Sequence, residues 1–168
     1  MEAPNLDGLS DMFPAKDLEW RIQRSGFDQN GRAWGIVNAY VTNRAIQQRL
    51  DDCVGRGLWY NNFTHGPCGG MSCGISIFNP VIGEWVTKWD GAGERDNETI
   101  KAYYSDSMKR AGVQLGIGRY LYDLPVMFAD VITNGEKGEF RACFKKNKED
   151  KGTWLYWNAP KMPKEFLP

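Results

Sequence analysis

The feature that most constrains this chain is one long helical pattern in its second half, set among segments that alternate with a period of two. Ile100, Tyr104, Met108, Ala111 and Leu115 recur every three or four residues. That spacing puts them on one stripe of an α-helix and predicts a helix over about residues 98–122, from Glu98 to Tyr122. A stripe that long must be buried against other elements. Upstream, Leu18, Trp20 and Ile22 alternate with Glu19, Arg21 and Gln23, the pattern of a half-buried strand. Asp28-Gln29-Asn30-Gly31 reads as a turn, with glycine to take a positive φ. Residues 34–41 read as the returning strand. Thr42 or Asn43 then caps a short helix with Ile46, Leu50 and Val54 as its stripe, ended by Gly55-Arg56-Gly57. Three strands follow over residues 58–63, 71–78 and 84–89. The last two are joined by the hairpin-type loop Asn79-Pro80-Val81-Ile82-Gly83. The stretch from Gly91 to Asn97 is a turn-rich connector, and two short strands close the pattern over 140–144 and 153–157. The order β-β-α, β-β-β-α, β-β is that of an α+β fold. Residues 1–15 form an arm anchored by Met12-Phe13-Pro14, residues 16–159 a single domain, and residues 160–168 an extended Pro-rich tail.

Three glycines inside the expected long helix, Gly112, Gly116 and Gly118, each lower helix propensity by about 1 kcal/mol. Close packing of the helix backbone is the expected return. The 168 residues suffice to bury a core. Aromatic residues make up 13% of them, an excess that favours sheet and leaves rings to stack on a ligand. Lys plus Arg and Asp plus Glu both number 21. A net charge of zero argues against a nucleic-acid binder, so any such role must come from local clustering. The stretch 61–100 is acidic. The last forty or so residues are basic, with Lys145, Lys146, Lys148 and Lys151 in one run. The four cysteines, Cys53, Cys68, Cys73 and Cys143, are too sparse and irregular for a disulfide framework. They fit reduced thiols in a cytoplasmic protein. The first residues show no basic and apolar run of a signal peptide, and no apolar stretch approaches the roughly 20 residues that span a membrane.

The candidate sites each have two readings. Lys109-Arg110 is expected on the outer side of the long helix. There Asp106 and Arg110 form an i,i+4 pair, or the two cations hold phosphate. Arg44 opens the first helix against the dipole, a placement easier to understand beside an anion. His65, Cys68 and Cys73 lack the paired spacing and the fourth ligand of a zinc site, so no metal is expected. Asp90, Glu94, Asp96 and Glu98 could serve a two-metal nuclease, but suit a solvated loop leading into a helix N-terminus better. Gly116-Ile117-Gly118 lacks the third glycine of a dinucleotide fingerprint, and no phosphate-loop motif is present. The Lys145–Lys151 run, broken by Glu149 and Asp150, suits a hairpin turn better than a dedicated DNA site.

Four stretches together resemble the Rad fifty-two/Sak family of single-strand annealing proteins, in its short phage-encoded branch. They are Leu18-Glu19-Trp20-Arg21-Ile22-Gln23; the run from Ala39-Tyr40-Val41-Thr42-Asn43-Arg44 through Val54-Gly55 to Trp59; Ser105-Asp106-Ser107-Met108-Lys109-Arg110-Ala111 with its continuation to Tyr122; and Trp157-Asn158-Ala159-Pro160-Lys161-Met162-Pro163. The order of the stretches along nearly the whole chain carries the resemblance. It implies a β-β-β-α core, with an antiparallel sheet packed on the long helix, an N-terminal hairpin plus short helix, and a C-terminal hairpin. It implies single-stranded DNA binding and annealing in recombination and DNA repair, without catalysis, nucleotide or other cofactor, by a homo-oligomeric ring or arc in the cytoplasm of a bacterial host. A single-strand-binding protein or a phage exonuclease is the candidate partner. By position, Arg44, Lys109 and Arg110 correspond to backbone-contacting residues. Arg56, Lys101, Arg119, Lys145 and Lys146 are further candidates. A third arginine that larger members place after the Lys-Arg pair is Val113 here. The rival readings are a metal-dependent nuclease using Asp90, Glu94 and Asp96, and a protein-interaction module built on the exposed rings.

Overall fold

A computed structural model describes residues 4–66, 69–93, 100–147 and 149–168. Three antiparallel sheets, each of three strands among the described residues, are arranged around two helices. Strands β1 (Leu18–Phe27) and β2 (Ala33–Val41) form the expected hairpin, with Gly31 at φ 75° in its turn. Its register breaks between Ile22 and Arg24, so Gln23 is the extra residue of a bulge and the alternation does not continue past it. Helix α1 (Asn43–Cys53) follows directly, and the Thr42 hydroxyl accepts the Ala45 N–H at 3.2 Å. Of the two residues proposed as its cap, Thr42 does the capping.

The next three strands, β3 (Trp59–His65), β4 (Met71–Asn79) and β5 (Glu84–Ala92), form an antiparallel meander in that order. Helix α2 (Ile100–Gln114) packs on it, which gives the expected β-β-β-α core. The two faces of this sheet differ. Cys73, Ile75 and Ile77 of β4 are buried with Ile46, Leu50, Met108 and Ala111 of the two helices. On the other face Tyr60, Trp85 and Trp89 are each 42–49% exposed, and Trp85 lies 4.9 Å from Tyr60 and 5.5 Å from Phe78 between ring centroids. Strands β3 and β5 have no further strand partner among the described residues.

Three expectations need correction. Helix α2 stops at Gln114 rather than Tyr122. Gly116 adopts φ 95°, its N–H bonds to the Val113 carbonyl at 3.0 Å, and the Ile117 N–H bonds to the Gly112 carbonyl at 3.0 Å. That paired pattern is a Schellman end. Gly116 therefore ends the helix, and Gly118, at φ 70°, begins a 3-10 turn over Arg119–Asp123. The close packing falls at the two glycines past the helix end, where a Cβ would collide with Ser10 at Gly116 and with Val41 at Gly118, while at Gly112 it would make only an ordinary contact with Ile46. The expected Glu98 start lies outside the described residues. Secondly, the stripe is not buried along its whole length: Ile100 is 73% exposed and Tyr104 40%. Thirdly, the arm is held by far more than its Met-Phe-Pro anchor. Leu9 and Phe13 are both in the core. Arg49 of α1 donates to the carbonyls of Gly8, Asp11 and Met12 at 2.8, 2.7 and 3.3 Å. Tyr120 accepts the Phe13 N–H at 2.9 Å.

Two short strands escaped the sequence pattern, because two or three residues cannot display a period. Strand β6 (Met127–Phe128) extends the first hairpin beside β2. Strand β7 (Asp130–Ile132) pairs with β9 (Thr153–Asn158), which also pairs with β8 (Phe140–Phe144). The tail carries a 3-10 turn over Lys164–Phe166, and Phe166 stacks on Tyr120 at 6.4 Å.

Candidate nucleic-acid interface

Helix α2 is the wall between two grooves. The first, about 1040 Å³, lies between α2 and the start of α1. Lys16, Arg44, Arg49 and Lys101 line it, against Asp17 and Asp52, with Phe63 and Tyr104 as its aromatic wall. Phe63 and Tyr104 pack together at 4.7 Å. Arg49 is committed to the N-terminal segment, as described above. Arg44 and Lys101 are exposed and pair with no carboxylate among the described residues. The buried side-chain oxygen of Asn43, also in this groove, has no hydrogen-bond partner among the described residues. The α1 terminus explains Arg44: the chain leaves β2 directly into the Thr42 cap, so the second residue of the helix projects into the groove mouth. Two cations with no carboxylate partner among the described residues, next to two rings, suit a phosphodiester chain.

The second groove, about 770 Å³, lies on the opposite side of α2, against β1 and β2. Here the expectation for Lys109 needs correction. Its side chain is not on a free outer face; it is 11% exposed and its ammonium pairs with Glu19 of β1. It also lies 5.7 Å from the Tyr40 ring centroid. Arg21 pairs with Glu19 at 3.0 Å and with Asp106 at 3.4 Å, and its guanidinium lies 5.6 Å from the same ring. Asp106 therefore bonds across to β1 and not to Arg110. Arg110, about half exposed, donates from Nη2 and Nε to Asp90 of β5 at 2.8 and 3.0 Å. Gln114 donates to the other Asp90 oxygen at 3.1 Å, and the Gly91 N–H donates at 2.7 Å. Burial of Asp90 works against its charge. The hydrogen bonds from Gln114, Arg110 and Gly91, with the Arg110 charge, outweigh it and hold the carboxyl below its usual range.

The remaining candidates fall outside these grooves. Arg119 donates three hydrogen bonds to the carbonyls of Val113 and Gln114, at 3.1, 2.8 and 3.1 Å. Its guanidinium closes the end of α2. Those donors satisfy carbonyls that the helix end leaves open. Arg56 pairs with Asp51 at 3.5 Å. Lys145 and Lys146 sit at the β8–β9 turn, where Lys146 lies 5.9 Å from the Phe27 ring and its N–H bonds to Asp150 at 2.8 Å. Sequence reasoning missed Glu19, Arg21, Tyr40 and Gln114. The alternation of β1 did place Glu19 and Arg21 on one polar face, and that was the available signal.

The rival sites are partly outside the described residues, as are Lys148, Glu94, Asp96, Glu98 and Cys68. Asp90 is committed to Arg110 and Gln114. Cys73 is wholly buried, and burial pushes its thiol up to about 11. Cys53, Cys73 and Cys143 are free thiols. No helix among the described residues is long and apolar enough to cross a membrane.

Residues 6–140 match the family described as Rad52/22 family double-strand break repair protein. The chain is 35% identical over 123 residues to the single-stranded DNA-binding protein DdrA of Deinococcus radiodurans, covering 70% of this chain and 54% of that protein. It is 34% identical over 119 residues to the protein of the same name in Deinococcus deserti, covering 67% and 54%. The chain thus spans about half the length of the curated relatives it matches. No solved structure matches it. The matched region runs through both grooves and the whole β-β-β-α core, and the chain belongs to the Rad52/22 family of double-strand break repair proteins.

Proposed function

We propose that this protein binds single-stranded DNA and anneals complementary strands in recombination and repair, as a homo-oligomer that uses neither nucleotide hydrolysis nor a metal. The observation that carries the reading is the basic ridge made by α2 and the start of α1. Arg44 and Lys101 face one of the two grooves, Lys109 and Arg110 the other, within the stretch matched to the family. The name of the Deinococcus relatives supports the choice of ligand. Held by its phosphates, a strand keeps its base edges free. A second strand then pairs with it, and the stacking and pairing of the product drive the reaction without fuel. The exposed rings of Tyr60, Trp85 and Trp89 support assembly, because aromatic faces of this kind are enriched at interfaces. An assembly also answers the zero net charge, by lining up one basic ridge per subunit.

The test is annealing of two labelled complementary oligonucleotides with the wild-type protein and with a Lys109→Ala, Arg110→Ala variant. The variant leaves Glu19 with Arg21 as its remaining cation and Asp90 with the neutral donors Gln114 and Gly91. Its affinity should fall about 100-fold, the scale of two charge-assisted hydrogen bonds, while its oligomers persist in gel filtration. Unchanged affinity would overturn the site. Loss of labelled strand to cleavage products in Mg²⁺ would favour the nuclease reading instead.

A further inference from the structure

We infer that the carboxylates of Glu19 and Asp90 occupy the places of two DNA backbone phosphates, which makes Arg21 and Gln114 phosphate ligands alongside Lys109 and Arg110. The inference rests on the DNA-binding reading above and goes one step further, to the individual subsites and to how they are emptied. The Glu19 carboxylate is met by two cations from different elements, Lys109 of α2 and Arg21 of β1, which both pack near one ring, Tyr40. The Asp90 carboxylate is met by a two-donor Arg110 side chain, by the Gln114 amide and by the Gly91 N–H. Both are convergent anion receptors: the first has positive charge on two sides, and the second has one guanidinium with two neutral N–H donors. A phosphodiester oxygen carries the same charge and takes the same donors. The two receptors lie on one helix at successive positions, with Lys109 and Arg110 turned to different strands. That placement suits consecutive charges of a chain and gives little to a lone phosphate ion.

The consequence is exchange. A strand entering this groove must displace Glu19 and Asp90 from their cations, so the receptors are closed to weak anions and open to a polyanion. The bound strand can in turn be displaced by the same two carboxylates, which are tethered beside it. Annealing needs such reversibility, because the product duplex has to leave. Arg44 and Lys101, with no carboxylate to displace among the described residues, bind without this step.

The test is fluorescence anisotropy with a labelled oligothymidylate at two or more salt concentrations, on folded oligomers checked by gel filtration and thermal melting. Glu19→Gln and Asp90→Asn keep the shape and remove the competing charge. Each should tighten binding about 3–10-fold and slow release of the annealed product. Arg21→Ala should weaken binding about 3–10-fold, and Arg21→Lys should restore part of it. Adding Glu19→Gln to a Lys109→Ala variant should recover part of the affinity that variant gives up. Unaltered or weaker binding by both charge-removing variants, with intact oligomers, would overturn the inference, as would wild-type affinity in Arg21→Ala. That failure is separate from failure of the site itself: in the first case the Lys109→Ala, Arg110→Ala variant still loses DNA, and in the second it does not. Should Glu19→Gln melt too early to assay, Asp90→Asn alone decides for its own subsite.

Discussion

The two grooves that share α2 as a wall carry cations in opposite states. In the groove beside α1, Arg44 and Lys101 stand in solvent with no carboxylate partner among the described residues. In the groove beside β1 and β2, Arg21, Lys109 and Arg110 are all paired, with Glu19, Asp106 and Asp90 as partners. An unpaired surface cation gains the whole attraction of an incoming phosphate, less its own hydration. A paired one gains only the difference between phosphate and carboxylate. A chain of zero net charge can thus hold one groove ready and another in reserve, which bulk charge does not reveal.

The largest effect that would sharpen this contrast comes from the open groove. Arg44→Ala with Lys101→Ala should weaken single-strand binding about 10–100-fold and lower the slope of log affinity against log salt by roughly one for each phosphate no longer neutralised. A salt titration checks both. An unchanged slope would remove this groove from the DNA path and break the comparison.

The wall itself comes next. At Gly116 a side chain would meet Ser10 and would have to hold φ 95°, so Gly116→Ala should cost about 1–2 kcal/mol. At Gly112 a Cβ would meet Ile46 and Ile117 at 3.6–3.8 Å, an ordinary van der Waals separation. Gly112→Ala should therefore be neutral or stabilise by up to about 1 kcal/mol through helix propensity. Urea unfolding of the two variants separates them, and equal losses would mean that the Schellman end does not position the wall.

The smallest effect is a pH dependence. Asp90 has a carboxyl pKa below its ordinary value, so its bonds to Arg110 and Gln114 contribute stability above the unfolded value of about 4. That contribution is lost as pH falls through the folded value. The stability difference between wild type and Asp90→Asn should accordingly be largest near neutral pH and shrink below about pH 4, as read by melts across that range. A difference independent of pH would mean that the carboxylate charge is not what the groove holds.

Much of the fold was legible because burial imposes periods. The alternation of Leu18, Trp20 and Ile22, the Thr42 cap and the stripe through Met108 and Ala111 each record one side of an element turned inward. The end of α2 was not legible, because a helix stripe and a glycine cap look alike until φ is known. Strands β6 and β7 are too short to show a period. The open groove was half legible: Arg44 falls at a helix start in the sequence pattern, but nothing local shows that Lys101 shares its groove. The closed groove misleads at Lys109. A single buried stripe implies a free opposite side, whereas α2 is covered on both sides.

By itself, the sequence determined the longer elements, the β-β-β-α order and the family motif that holds Lys109-Arg110. These follow from short-range preferences and from a periodicity of burial written into neighbouring residues. Only the tertiary structure decided which cations are available. Glu19 and Lys109 are 90 residues apart, and Asp90 and Arg110 are 20 apart. Charges interact through space over a few ångströms, so whether a lysine is free to meet a phosphate depends on which carboxylate the fold brings beside it.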